Sequence, residues 1–390
     1  MYKAFYRLCY VFFFVFSPTL KGQADSLSPF YTINKDEMFK PFVVLETWAT
    51  YSFNESKDNE AYAARSNVYM RRLRFGACGN PYTWLKYSFH LYLDRIGEDF
   101  YASTKGSYAG IDLWNAYLTA KLLKSSDLLN LHAGYFWAAI SRDFQTSPWA
   151  VSAFDKTRAT WYLRSFVTGT GNGIESGIGL GGIKNYNNFG LNYRVGVYEP
   201  QAYSCANHSN KLYTGRLMFT LGEPEQRSYK YMLSGNVWKQ RKGVTIGFGA
   251  STQKNGRIND STCFNHSYTY GTDILIDYNG FRFDAEYFLL NRTHSQIINF
   301  NGQQWHIRAA YSVIIWGKYL EPAICYENYQ GSGSQMLFKH IGQENTFDIG
   351  LNWYMNKDKL KLSVHYVIQQ ASELNTNTGD FVGAAFQLKL

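Results

Sequence analysis

The chain has 390 residues, of which 18% are aromatic (32 Tyr, 28 Phe, 10 Trp) and only 8 are Pro, with a formal net charge of +9. So aromatic a composition excludes a disordered chain and asks for a large, regular apolar surface; the basic residues do not gather in a stripe along one element, which excludes a nucleic-acid reader. After the first turns no run of 18 apolar residues occurs, so transmembrane helices are excluded too.

Residues 1–24 read as a secretory signal, with Lys3 and Arg7 ahead of an apolar stretch from Leu8 to Phe16 and with Gly22 or Ala24 before cleavage. That stretch is too short to cross about 30 Å of hydrocarbon as a helix. Residues 25–40 are polar and aperiodic, a periplasmic lead-in. Of the five cysteines, Cys9 leaves with the signal. Cys78 and Cys325 sit in strand patterns, whereas Cys205 and Cys263 fall in long polar loops where an oxidising exterior allows a bridge. No CxxC, HExxH or comparable metal spacing is present, and no cofactor is implied.

From residue 41 the chain alternates. In 83–94, TWLKYSFHLYLD, Leu85, Tyr87, Phe89, Leu91 and Leu93 make one apolar face, with Lys86, Ser88, His90, Tyr92 and Asp94 opposite. In 111–122, Trp114, Ala116, Leu118, Ala120 and Leu122 oppose Asn115, Tyr117, Thr119 and Lys121. A period of two over about ten residues suits a tilted membrane strand with lipid on one side and water on the other. The signature recurs along 41–390 to give about sixteen strands, an even number as barrels with both termini in the periplasm require. Asn279–Gly280 marks a type I′ hairpin turn.

Short connections alternate with long ones, the layout of periplasmic turns and extracellular loops. Residues 222–242 break the rule: they stand where a short turn is due yet hold a strand-like piece, 229–238, and are read as a long periplasmic excursion. The longest gap, 138–173, carries Arg142, Asp143, Asp155, Lys156, Arg158 and Arg164. A structureless segment of that length needs a functional reason; the expectation is a constriction loop folded into the lumen, against the plainer reading of a solvated surface loop.

A soluble β-sandwich would make both inner faces apolar. Here the second face carries Arg72, Arg74, Lys86, Asp94, Lys121, Arg194, Arg216, Asp284, Glu286, Arg308 and Lys361. Those charges need water, so the expected fold is an all-β transmembrane antiparallel barrel with a wet interior.

At this point the chain resembles the phosphate-selective porin O and P family, particularly its Bacteroidetes members. The resemblance covers most of the mature chain: YMRRLRFGACGNPYTWLKYSFHLYLDRIGED at 69–99, ISRDFQTS at 140–147 with DK at 155–156 and GTGNG at 169–173, GEPE at 222–225 with KGVTIGFGASTQ at 242–253, and FDIGLNWYMNKDKLKLSVHYV at 347–367. One departure is the end, Phe386-Gln387-Leu388-Lys389-Leu390, where the family usually finishes on an aromatic.

The resemblance implies an outer-membrane channel of a Gram-negative cell, set in lipid and lipopolysaccharide, delivered by the outer-membrane assembly machinery and trimeric. It places Arg142 and Lys156 in the narrow zone, either lining the passage or, for Arg142 with Asp143, pinning the loop to the wall. From the residues themselves, Arg72, Arg74, Lys86, Lys121, Arg194 and Arg216 form inward basic groups that could draw anions such as phosphate through several weak sites, with Arg158 and Arg164 added by the loop. The alternative is that inward carboxylates pair with them and leave an unselective pore. A second class remains, a structural or adhesin barrel whose Tyr- and Asn-rich loops 199–211 and 254–267 bind a surface partner. An enzyme is not expected: no Ser–His constellation forms a nucleophile motif, and His90, His306 and His365 read as hydrogen-bonded wall groups.

Overall fold

The computed structural model describes residues 38–57, 60–62, 64–97, 111–200, 210–233, 238, 241–258, 262–374 and 378–390. The signal, most of the lead-in and Cys205 lie outside them.

Because successive side chains point to opposite faces, a sequence that alternates apolar and polar for this long can satisfy both only by separating lipid from water. Sixteen long strands do so: β1 (Lys40–Lys57), β2 (Arg65–Tyr82), β3 (Leu85–Tyr92), β4 (Asp112–Lys121), β5 (Asn130–Trp137), β6 (Ile174–Asn185), β7 (Phe189–Glu199), β8 (Leu212–Gly222), β9 (Lys242–Arg257), β10 (Cys263–Tyr278), β11 (Phe281–Thr293), β12 (Phe300–Tyr311), β13 (Lys318–Ser332), β14 (Gly342–Asp358), β15 (Leu360–Ser372) and β16 (Thr378–Lys389). Two three-residue pieces, Glu60–Tyr62 and Val313–Ile315, extend the ends of β1 and β13. Every strand pairs antiparallel with its neighbours, and β1 pairs with both β2 and β16, which closes the barrel without an edge.

The faces follow the alternation. In β8, Leu212, Thr214, Arg216, Met218 and Thr220 are buried while Tyr213, Leu217 and Leu221 are exposed. The periplasmic turns use left-handed backbone: Asn279 and Gly280 have φ of 50° and 93°, as the type I′ reading requires, and Trp316 and Gly317 repeat the device at 51° and 71°. Strands run beyond the alternating segments: β14 covers Gly342–Asp358, whereas apolar and polar residues alternate cleanly only from Phe347 to Trp353. Outside the hydrocarbon the outer face need not be apolar, so the pattern fades while the hydrogen-bond ladder continues.

Two bulges re-aim side chains. Between β1 and β2 the register steps from Glu46↔Arg72 to Thr47↔Met70, leaving Arg71 as the extra residue. Between β3 and β4 it steps from His90↔Asn115 to Leu91↔Leu113. Trp114, placed on the lipid face by simple alternation, thereby turns inward and lies under the Arg74 guanidinium at 3.7 Å.

Both long insertions fold into the barrel. Residues 138–173 contain α1 (Arg142–Gln145), a 3-10 turn (Pro148–Ala150) and α2 (Arg158–Thr168). Thr157 caps α2 by accepting from Thr160 N, and Gly169 ends it with a left-handed φ of 78°. The second insertion, 222–242, also turns inward where it is described: Tyr229, Tyr231, Met232, Leu233 and Trp238 are buried. Its described residues 229–233 belong to no wall strand, because the closed sheet offers no edge to join; their apolar side chains find the lumen instead.

Cys78 and Cys325 are buried free thiols. Cys263 is disulfide-bonded.

Candidate functional site: the constriction

The loop leaves the wall at a neck where Ala138 N donates to Gly173 O at 3.3 Å. Its first contact is made by a glycine: a Cβ on Gly249 of β9 would stand 1.9 Å from Ile140 O, so only glycine lets the loop root lie on the wall. Beyond it the loop is bonded strand by strand. Ser141 Oγ donates to Glu286 of β11 at 3.2 Å, and Asp143 N donates to the same carboxylate at 3.1 Å. Asp143 accepts from Arg308 of β12 at 3.0 Å, which also holds Asp284 at 2.7 Å. Phe154 N donates to Asp348 of β14 at 2.8 Å, and the Phe154 ring fills the space over Gly383 of β16.

At the loop tip, the bulge turns Arg71 inward beside Arg72. Arg71 donates to Asp155 at 2.7 and 3.2 Å, and Arg72 bridges Asp155 and Glu46, the latter at 2.7 Å. Burial works against the charged Asp155 carboxylate, but the two guanidinium groups outweigh it and hold it well below the ordinary range. The chain then returns. Arg158 Nε pairs with Glu344 of β14 at 3.0 Å, Ala159 N at the start of α2 donates to Glu327 of β13 at 2.8 Å, and Arg292 of β11 donates to Leu337 O at 2.8 Å and to Phe166 O.

The expected basic groups fall into three sets, with Arg194 apart. Arg72, Arg74 and Arg216 are buried and paired with carboxylates: Arg74 with Asp94 at 2.6 Å, Arg216 with Asp273 at 2.5 and 2.8 Å. Lys86 and Lys121 stand at the periplasmic rim, Lys86 exposed and Lys121 paired with Asp127 at 2.7 Å. Within the loop, Arg142 is bidentate to Glu225 at 2.7 and 2.8 Å, Arg158 holds Glu344, Arg164 donates to Phe144 O, and Lys156 donates to Thr146 O at 2.6 Å and to Asp143 O. Burial and the neighbouring Arg164 lower the Lys156 ammonium below its ordinary value. Arg194, on β7, donates to Gln145 Oε1 and Lys230 O, both at 2.9 Å.

Thus loop 138–173 is bonded to strands β7, β8, β10–β14 and β2, with Arg216 Nη1 of β8 donating to Ile140 O at 2.8 Å, and it packs on β9 at Gly249. The remaining arc, together with part of β7, is taken by the other insertion. His132 of β5 bonds Tyr229 Oη at 2.9 Å, Tyr198 of β7 bonds Tyr231 Oη at 3.1 Å, and Asn192 donates to Gln226 at 3.1 Å. Across the barrel, Trp238 packs edge-on against Tyr354 of β14 at 4.5 Å.

A closed sixteen-strand wall with an inward loop after β5 is a channel, and the sequence profile of phosphate-selective porins O and P matches residues 43–390. The chain belongs to that porin family. It is accordingly an outer-membrane β-barrel for passive diffusion. Among solved structures this porin is similar to Salmonella typhi OmpF in complex with daunomycin (TM-score 0.56, 14% identity, 92% of this chain and 99% of that one covered). It is also similar to the outer-membrane channel DcaP of Acinetobacter baumannii (0.56, 12%, 92% and 99%) and to the anion-selective porin from Comamonas acidovorans (0.55, 11%, 91% and 99%). At these identities the likeness is one of fold. No curated protein matches.

Several residues of the porin's constriction carried no readable sign in the sequence. Arg71 lies off phase with Arg72 and Arg74, and only the bulge brings it in. Glu225 lies in the GEPE motif and Glu344 in a polar stretch, but nothing local names their partners across the lumen. Arg308 and Glu286 were readable as inward residues by alternation, but not as loop anchors. The three wall histidines do form hydrogen bonds, His90 to Ser88, His306 to Asp284 and His365 to Asp348.

Proposed function

We propose that this porin passes small hydrophilic solutes with a preference for anions such as phosphate, as a homotrimer set in lipid and lipopolysaccharide by the assembly machinery of a Gram-negative cell. The observation that carries the preference is where the charges are spent. Glu286, Glu327 and Glu344 on β11, β13 and β14 are turned onto the loop, which gives them backbone N–H groups and Arg158. Among the described residues, Arg194, Arg164 and Lys156 hydrogen-bond only neutral oxygens, and Lys86 is exposed at the mouth. The acids are neutralised or capped by the loop while these cations have no carboxylate hydrogen-bond partner among the described residues, so the field along the passage favours negative solutes. The pairing of Cys205 with Cys263 belongs to the same reading, as a staple between extracellular loops.

Single-channel recording of the refolded protein under a salt gradient tests this. The expected reversal potential has the anion sign, phosphate titrated against chloride reduces the current, and Lys86→Gln with Arg194→Gln moves the reversal potential toward zero. A zero or cation-signed potential in the unmodified protein overturns the preference and leaves a general pore. A folded barrel that never conducts favours the adhesin reading instead.

A further inference from the structure

We propose that residues 223–233 form a gate, latched to the constriction loop through Arg142 and Glu225; the inference rests on the porin reading above. The two insertions share the inner wall, the loop holding β7–β14 and β2, the 223–233 segment holding β5–β7 and, through Glu223, the end of β9. They join at one place. Arg142 and Gln145 lie three apart on α1 and so face the same way: Arg142 holds Glu225, and Gln145 Nε2 donates to Tyr231 O at 3.4 Å while Gln145 O accepts from Leu233 N at 3.3 Å. Asp143, on the opposite side of α1, holds the wall through Arg308.

Three features make the join reversible. Among the described residues, the segment is tied by side chains, by Glu223 N to Lys242 O at its root and by one isolated bridge, Thr146↔Leu233, so its departure beyond that root breaks no strand pairing. Arg142 has a second carboxylate in reach, Asp273 at 3.5 Å, which keeps its charge compensated when Glu225 leaves. Asp273 is itself fixed by Arg216, so the wall does not follow. The two arrangements, latched and released, therefore differ at Glu225 and at the aromatic contacts of Tyr229 and Tyr231, the kind of local two-state element on which gating depends. Release uncovers Arg194, whose Nη2 is held by Lys230 O in the latched form.

The test is a Thr146→Cys/Leu233→Cys variant recorded in a planar bilayer before and after reduction, with unmodified protein under the same reductant to account for the Cys263 disulfide. Cross-linked channels should pass several-fold less current than reduced ones, and Glu225→Gln should raise the fraction of time spent open. Equal currents from cross-linked and reduced channels overturn the gate and leave the porin reading intact. Absence of current from the unmodified folded barrel as well would sink both.

Discussion

While Arg164, Arg194 and Arg292 are held by neutral oxygens, buried ion pairs hold the constriction. Arg308 is the plainest case, since it serves Asp143 of the loop and Asp284 of its neighbouring strand together. Arg308→Met should cost about 3–5 kcal/mol, the scale for stranding buried charge, read as a lower midpoint in urea-driven unfolding from lipid vesicles; an unchanged midpoint would show that the pair carries no net stability. Glu225 gives a pH signature. Burial opposes its ionisation, yet Arg142 prevails and holds the carboxyl at about 2 against an ordinary 4.5. A depressed carboxylate stabilises the fold above its unfolded value and loses that contribution as pH falls through the folded one. The latch should thus be complete at neutral pH and weaken between about pH 4.5 and 2, seen as a change in tryptophan emission that Glu225→Gln abolishes. Because α2 depends on its cap, Thr157→Ala should cost about 1 kcal/mol, the hydroxyl also donating to Asp143 at 3.1 Å.

The elements were legible to different depths. Strands such as 83–94 and 281–291 declare themselves because lipid and water impose opposite demands on alternate residues, and Asn279–Gly280 declares its turn because both residues must take positive φ. The bulges at Arg71 and Trp114 were not legible: one extra residue in a ladder leaves no compositional trace, and its placement is decided by what waits across the lumen. The helices of 138–173 were hidden for a related reason. α1 spans Arg142–Gln145 only, and its residues bond the wall on one side and the second insertion on the other. Gly249 shows the same limit, since its need for no side chain is set by Ile140 O, distant in sequence. Gly249→Val should lift the loop root from β9, giving a folded, heat-resistant barrel with increased protease cleavage between residues 138 and 173; wild-type cleavage would mean the root adjusts freely.

At the level of the molecule, wall and filling have separate logics. The wall is a repeating pattern that composition alone nearly dictates, and the filling is a set of particular ion pairs that the wall makes possible by offering inward Arg, Asp and Glu at fixed heights. The filling also depends on the wall being complete. The loop tip at Asp155 is held by Arg71 and Arg72 near the start of the chain, while Phe154 beside it is held by Asp348 and seated over Gly383 near the end. Both sets of partners exist in place only after β16 has paired with β1. Seating of the loop tip is therefore coupled to closure of the seam: a barrel whose first and last strands are still apart lacks the partners of residues 154–155, so the wall and its permeability barrier are completed together.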